Sequence, residues 1–171
     1  MLRLLFLCTL LLPGLASAQE GPIVHAASVS ENPENIISYY GVKASSEEKT
    51  YSITITVTNI RGTNGSIRFK FYDDFTPFPN DTGFLKVVVN KSEISGSSFT
   101  RTYYGFKSQS MAIALMDDED NDNKLDMGWF FPKEGYAFSD YFHSALRRPV
   151  YNDFKFVLTG DRSVVMKMKY Y

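Results

Sequence analysis

The stretch YSITITVTNI, residues 51–60, constrains the fold more than any other part of the chain. Tyr51, Ile53, Ile55 and Val57 alternate with Ser52, Thr54, Thr56 and Thr58, and most of these residues are β-branched. A period of two places alternate side chains on opposite faces of a strand, so this segment predicts one buried face and one wet face. A helix would scatter the same residues around its circumference. After the turn signal RGTNG, residues 61–65, the alternation returns in SIRFKFYD, with Ile67, Phe69 and Phe71 as the inward set. The Asn64-Gly65 pair between two alternating runs predicts a hairpin.

Further strands are predicted at 84–89, 97–104, 110–116, 153–159 and 163–170. In the last of these Val164, Met166, Met168 and Tyr170 oppose Val165, Lys167 and Lys169, and Gly160-Asp161 supplies a tight turn before it. A helical period is absent except for one turn's worth of signal near 139–146. About seven short strands with turn signals between them predict an all-β fold, an antiparallel β-sandwich. Aromatic residues make up 15% of the chain, enough to fill a dense core, so most Phe and Tyr are expected to pack inside rather than to line a ligand platform.

The chain divides into three expected parts. Residues 1–18 read as a secretory signal: one basic residue, Arg3, an apolar run over 4–12 too short to span a bilayer, a Pro13-Gly14 break, and the small-residue pattern Ala16-Ser17-Ala18. Residues 19–49 lack periodicity and read as a partly disordered extension, or one that adds a strand near 36–42. Residues 50–171 form the β-sandwich domain. No later segment is long and apolar enough to be a membrane span. The only cysteine, Cys8, lies in the signal, so after cleavage no thiolate ligand, disulfide or cysteine nucleophile remains. Asn-x-Ser/Thr sequons begin at Asn64, Asn80 and Asn90. Export leads to the periplasm, the outer membrane or the outside of the cell.

Charge is unevenly placed. Without the signal there are 17 basic and 19 acidic residues, but 117–126 alone holds six acids and one Lys, which leaves the rest with a net charge of +3. The basic residues are scattered, so no nucleic-acid footprint is present. Within the acidic run, DDEDNDNKLD, carboxylates stand at Asp118, Asp120 and Asp122, followed by Lys124 and Asp126. This is the opening of a D-x-D-x-D-x-x-x-D calcium loop, with positions 1, 3 and 5 as carboxylate ligands, the Lys124 carbonyl at position 7, and Asp126 at position 9. Position 6 calls for a sharp turn, and Asn123 there tolerates left-handed dihedrals. The bidentate Glu of position 12 is missing, since Trp129 occupies it; Glu134 is a candidate to close the site from the following loop, although nothing in the spacing requires it. The competing reading is an acidic turn whose side chains bind their own backbone.

Three segments, DDEDNDNKLD (117–126), PKEGYAFS (132–139) and PVYNDFKF (149–156), match in order and spacing a group of exported bacterial proteins known as domain of unknown function 2141. The resemblance covers about 50–171. It implies a transthyretin-like or immunoglobulin-like sandwich and no established reaction. The chain departs from the family pattern at Asp117, where His is usual, at Asn121 and Asn123, where Gly is usual, and at Asp120 and Asp122, which replace amides.

Catalytic signatures are missing. Only His25 and His143 remain after the signal, and no nucleophile elbow, zincin or phosphate-loop motif occurs. Lys133, Glu134 and Tyr136 form a candidate polar site, against which stands the simpler reading of an ordered loop covering one end of the sandwich. The expected function is therefore a non-enzymatic, exported binding or scaffolding module, stabilised by calcium, that acts with an envelope or outer-membrane protein partner. The alternative is a carbohydrate-binding module or small hydrolase using GWFFPKEGY, favoured if Trp129, Phe130 and Tyr136 are exposed together and removed if all three are buried.

Overall fold

Alternation in the sequence becomes alternation in burial. The computed structural model describes residues 23–25, 49–79, 83–144 and 147–171. In chain order the strands are β1 (Ile23–His25), β2 (Tyr51–Thr58), β3 (Ser66–Asp73), β4 (Leu85–Asn90), β5 (Ser98–Phe106), β6 (Gln109–Asp118), β7 (Tyr136–Phe138), β8 (Phe156–Leu158) and β9 (Arg162–Lys167); a four-residue helix, α1 (Tyr151–Phe154), precedes β8. Ile53, Ile55 and Val57 of β2 face Ile67, Phe69 and Phe71 of β3 across one core, and all six are buried. Leu85, Val87 and Val89 of β4, Met111, Ile113 and Leu115 of β6, and Val164 and Met166 of β9 complete it. Each such side chain contributes about 1.5–3 kcal/mol on burial, which is why the register predicted from period two holds.

Two sheets enclose this core. The larger runs β1-β4-β3-β6-β7, with β8 also paired to β6; the smaller runs β5-β2-β9. Most pairings are antiparallel, but β1 runs parallel to β4 and β2 runs parallel to β9. The central strand β6 is buried on both faces. Its small outward residues Ala112 and Ala114 lie under a second cluster that includes Tyr72, Tyr136, Phe138, Tyr151 and Phe154. On one side the sheets are joined: Tyr136 and Lys169 exchange backbone hydrogen bonds of 3.1 and 2.9 Å. The β9 margin is plugged by Asp140, whose amide donates to the Val165 carbonyl at 3.1 Å and whose carboxylate accepts from the Val165 amide at 2.8 Å.

Several expectations change here. β2 and β3 are not a hairpin: they lie in different sheets, and residues 59–65 carry the chain across the sandwich. Asn59 (φ 63°), Gly62 (φ 64°) and Gly65 (φ 81°) take left-handed dihedrals, and Ile60 turns into the core with its amide on the Ser97 carbonyl at 2.9 Å. An apolar residue in the connection thus outweighs a local turn signal. Gly160-Asp161 likewise joins strands in opposite sheets, β8 to β9. A helical turn lies at 151–154 and takes the first residues of the strand expected at 153–159; of the turn expected near 139–146, residues 139–144 are not helical and 145–146 lie outside the described residues. Segment 136–138, read as a covering loop, is strand β7. The strand proposed near 36–42 and the signal at 1–18 lie outside the described residues. Among the described residues no helix is long and apolar enough to cross a membrane.

Candidate metal centre and aromatic tip

β6 ends in two adjacent carboxylates, which a strand sends to opposite faces. Both are fully buried. Asp117 receives the Lys91 ammonium, at 2.8 and 3.0 Å to its two oxygens, and the Tyr170 hydroxyl donates to Oδ2 at 2.6 Å. Lys91 follows β4 in a single 3-10 turn (Lys91–Glu93), is only 2% exposed, and also donates to the Arg61 carbonyl at 2.6 Å. The Arg61 amide closes the circuit on the Tyr170 hydroxyl at 3.0 Å. Burial, and the bond it donates to Asp117, push the Tyr170 phenol up from its ordinary value. A buried pair with this many hydrogen bonds meets the condition under which charges survive in a core.

Asp118 is the hinge of the acidic loop. Arg68 of β3 pairs with its Oδ2, the Asp122 amide donates to Oδ1 at 3.0 Å, and the Asn123 amide donates to Oδ2 at 3.1 Å. Asp120 Oδ1 accepts from the Asp122 amide at 3.1 Å, and Asp122 Oδ1 from the Lys124 amide at 2.7 Å. Such bonds curl the backbone around the carboxylates. Asn121 (φ 61°) and Asn123 (φ 71°) take the left-handed turns that their short amide side chains allow. Asn121 is further tied to β3, where the Ser66 hydroxyl donates to its side-chain oxygen at 2.9 Å. Under the loop sits Gly65, where a Cβ would stand 2.0 Å from the Asp118 carbonyl oxygen.

Of the five residues predicted to hold an ion, the fold brings three together. One carboxylate oxygen from each of Asp118, Asp120 and Asp122 lies within 4.8 Å of the others. Oxygens at about 2.3–2.6 Å from one calcium stand at most about 5 Å apart, so this spacing fits a shared hard cation. Of the predicted carboxylates Asp126 is not in that cluster; Lys124, predicted to act through its carbonyl, donates its amide to Asp122 within the turn. Glu134 closes the loop in a way the spacing did not suggest. Its Oε1 accepts from the Glu119 amide at 2.9 Å and its Oε2 from the Asp126 amide at 3.0 Å, so one buried carboxylate clasps both ends of the loop. Burial raises the Glu134 carboxyl above its ordinary value; the two amides pull it down, and the Asp118 and Asp126 charges push it up.

Beyond the clasp the chain forms a small tip. Gly128 donates to the Phe131 carbonyl at 2.8 Å and Lys133 to the Asp126 carbonyl at 2.9 Å. This leaves Trp129 94% and Phe130 84% exposed, while Phe131 stacks on Tyr171 with ring centres 4.2 Å apart. Tyr136 is buried, and its hydroxyl lies 3.3 Å from that of Tyr171. The aromatic trio is therefore split, two out and one in. Lys133, Glu134 and Tyr136 form no common polar site: the Lys133 amide and the Glu134 carboxylate both bond the Asp126 backbone, while the Tyr136 hydroxyl meets Tyr171. His143 is buried with both ring nitrogens engaged, one by the Tyr141 hydroxyl at 3.1 Å and one by the Arg147 carbonyl at 2.8 Å. Sequence reasoning passed over Arg68, Lys91 and Tyr170. A lone Lys after an apolar strand was the only sign that Lys91 is special.

Residues 55–166 match the family described as an uncharacterized protein conserved in bacteria (DUF2141). No curated protein and no solved structure matches the chain.

Proposed function

Because the chain belongs to the DUF2141 family of bacterial proteins, we propose that it is an exported, non-enzymatic binding module of the cell envelope whose acidic loop takes up calcium and so holds an aromatic tip ready for a protein partner. The convergence of Asp118, Asp120 and Asp122 carries this reading. The donor set is all oxygen, which suits calcium. Asp118, Asp120 and Asp122 would supply the first ligands, and the Lys124 carbonyl, with Asp126 acting through water as position 9 often does, would extend the shell. Water completes the rest, so the affinity belongs to the weak extracellular range rather than to that of cytosolic sensors.

The ion's role is structural. It offsets repulsion among the loop carboxylates, and Glu134 transmits the loop's order to residues 127–133 by holding the Asp126 amide. Trp129 and Phe130 then form a fixed apolar contact, the kind of residue that dominates interface energy. The non-enzymatic reading is supported by His143, whose nitrogens are both occupied. A carbohydrate-binding module or small hydrolase is the second reading; it called for Trp129, Phe130 and Tyr136 exposed together, and only Trp129 and Phe130 are. Calorimetric titration of the metal-stripped protein tests the leading proposal. Calcium at millimolar concentration that gives neither binding heat nor a higher melting temperature would overturn it. Retention on immobilised glycans, lost in Trp129→Ala, would instead select the second reading.

A further inference from the structure

Strand margins differ in how they are protected. β7 is closed by the Tyr136–Lys169 bridge and β9 by Asp140. β5 carries Gly105 (φ 87°), a register shift opposite Tyr51 and Ile53, and an Arg101–Glu93 ion pair of 2.8 Å, features that spoil an edge for pairing. β4 has none of these and is instead covered by β1, in the parallel register Ile23↔Lys86, Val24↔Val87 and His25↔Val88. The family match begins at residue 55, so the matched domain contains β4 but not the strand that covers it.

We propose that the outer edge of β4 is an exchangeable strand-docking site, and that the Ile23–His25 segment of a second copy of this chain occupies it in a strand-swapped assembly. Three residues pair with a six-residue strand, so the contact is small and opens readily. A parallel neighbour has no tight turn to enforce its position. Residues 26–50 separate β1 from β2, and 25 residues reach up to about 80 Å when extended, far enough for a neighbouring molecule. The donor meets the same backbone groups whether it comes from its own chain or another, so chain concentration sets the balance between the two.

Cross-linking separates the alternatives. In full chains carrying Cys8→Ser, one copy receives Ile23→Cys and another Lys86→Cys, and the two are mixed under oxidising conditions. Disulfide-linked dimers should form in a yield that rises with concentration, and an excess of a peptide spanning residues 19–29 should abolish them. The double variant should form an intramolecular bond at high dilution. A control mixture pairs Ile23→Cys with Asn152→Cys on the exposed α1 surface. A disulfide formed only within the double variant's own chain and never between mixed chains, equal dimer yield in the control mixture, or indifference to the peptide would each overturn the proposal. Equal yield would mean random collision, and indifference would mean contact by another face.

Discussion

Replacing Lys91 by Met leaves the Asp117 carboxylate buried with its Tyr170 bond and no counter-charge. The change removes both ammonium contacts, at 2.8 and 3.0 Å, and the 2.6 Å bond to the Arg61 carbonyl. Breaking a buried pair from one side costs about 3–5 kcal/mol, because the remaining charge cannot reach water. For a domain of this size that should lower the melting temperature by about 10–20 °C. Asp117→Asn should cost a similar amount by stranding the ammonium. Combining the two removes both charges while leaving an oxygen for Tyr170, so the double variant should recover a coupling energy of about 2–3 kcal/mol. The assay is urea unfolding followed by far-ultraviolet circular dichroism. Trp129, the single tryptophan, is 94% exposed and its emission would not report on the core. A single-variant cost below about 1 kcal/mol, or costs that simply add, would refute the idea that this pair supports the base of the loop.

Gly65→Ala should destabilise by about 3 kcal/mol or more, since its φ of 81° disfavours a side chain and the new Cβ would meet backbone, not a side chain that can swing away; an unchanged thermal melt would contradict the placement of the loop over Gly65. Glu134 provides a test of sign. Its carboxyl is raised from 4.5 by burial, so the stability it contributes is fully present below that value and is lost as pH rises through the raised one. The wild type's margin over Glu134→Gln should therefore narrow on going from acid toward neutral pH in chemical denaturation. A margin that widened would mean that the two amide bonds outweigh burial. Asp122→Asn should weaken calcium binding by about tenfold or more, while Asp126→Asn should change it little if its contact runs through water; calorimetry on both variants decides, and the reverse order would relocate the ion.

What could be read in advance follows from how local each signal is. Ile53, Ile55 and Val57 were legible because burial of one sheet face repeats at the spacing of the residues themselves. Asp118, Asp120 and Asp122 were legible for a similar reason, since a loop that curls through its own amides brings alternate carboxylates together. Pairing was not legible. Asn64-Gly65 predicts a neighbour, yet β2 finds its neighbours in β5 and β9, because the core recruits Ile60. Strand β7 has only three residues, all buried, and owes its form to β6 beside it. Lys91 and Asp117 stand 26 positions apart, and Arg68 and Asp118 stand 50 apart, so their ion pairs exist only once the sheet has brought them together.

The parallel pairing of β2 with β9 also sets an order of events in time. Asn59 waits for the carbonyl of Met168, 109 positions further along, and the Thr58 carbonyl waits for the Met168 amide. Closing so long a loop is paid in entropy before any contact returns it, so the smaller sheet belongs to the slow stage of folding. Until β9 arrives, one flank of the β-branched run at Ile53–Thr58 stays open to other chains. The segment whose arrival seals that flank also places Lys169 against Tyr136 and the Tyr170 hydroxyl on Asp117. Completion of the core and of the support beneath the acidic loop thus rest on the same C-terminal segment, and a chain in which that segment is undocked has neither.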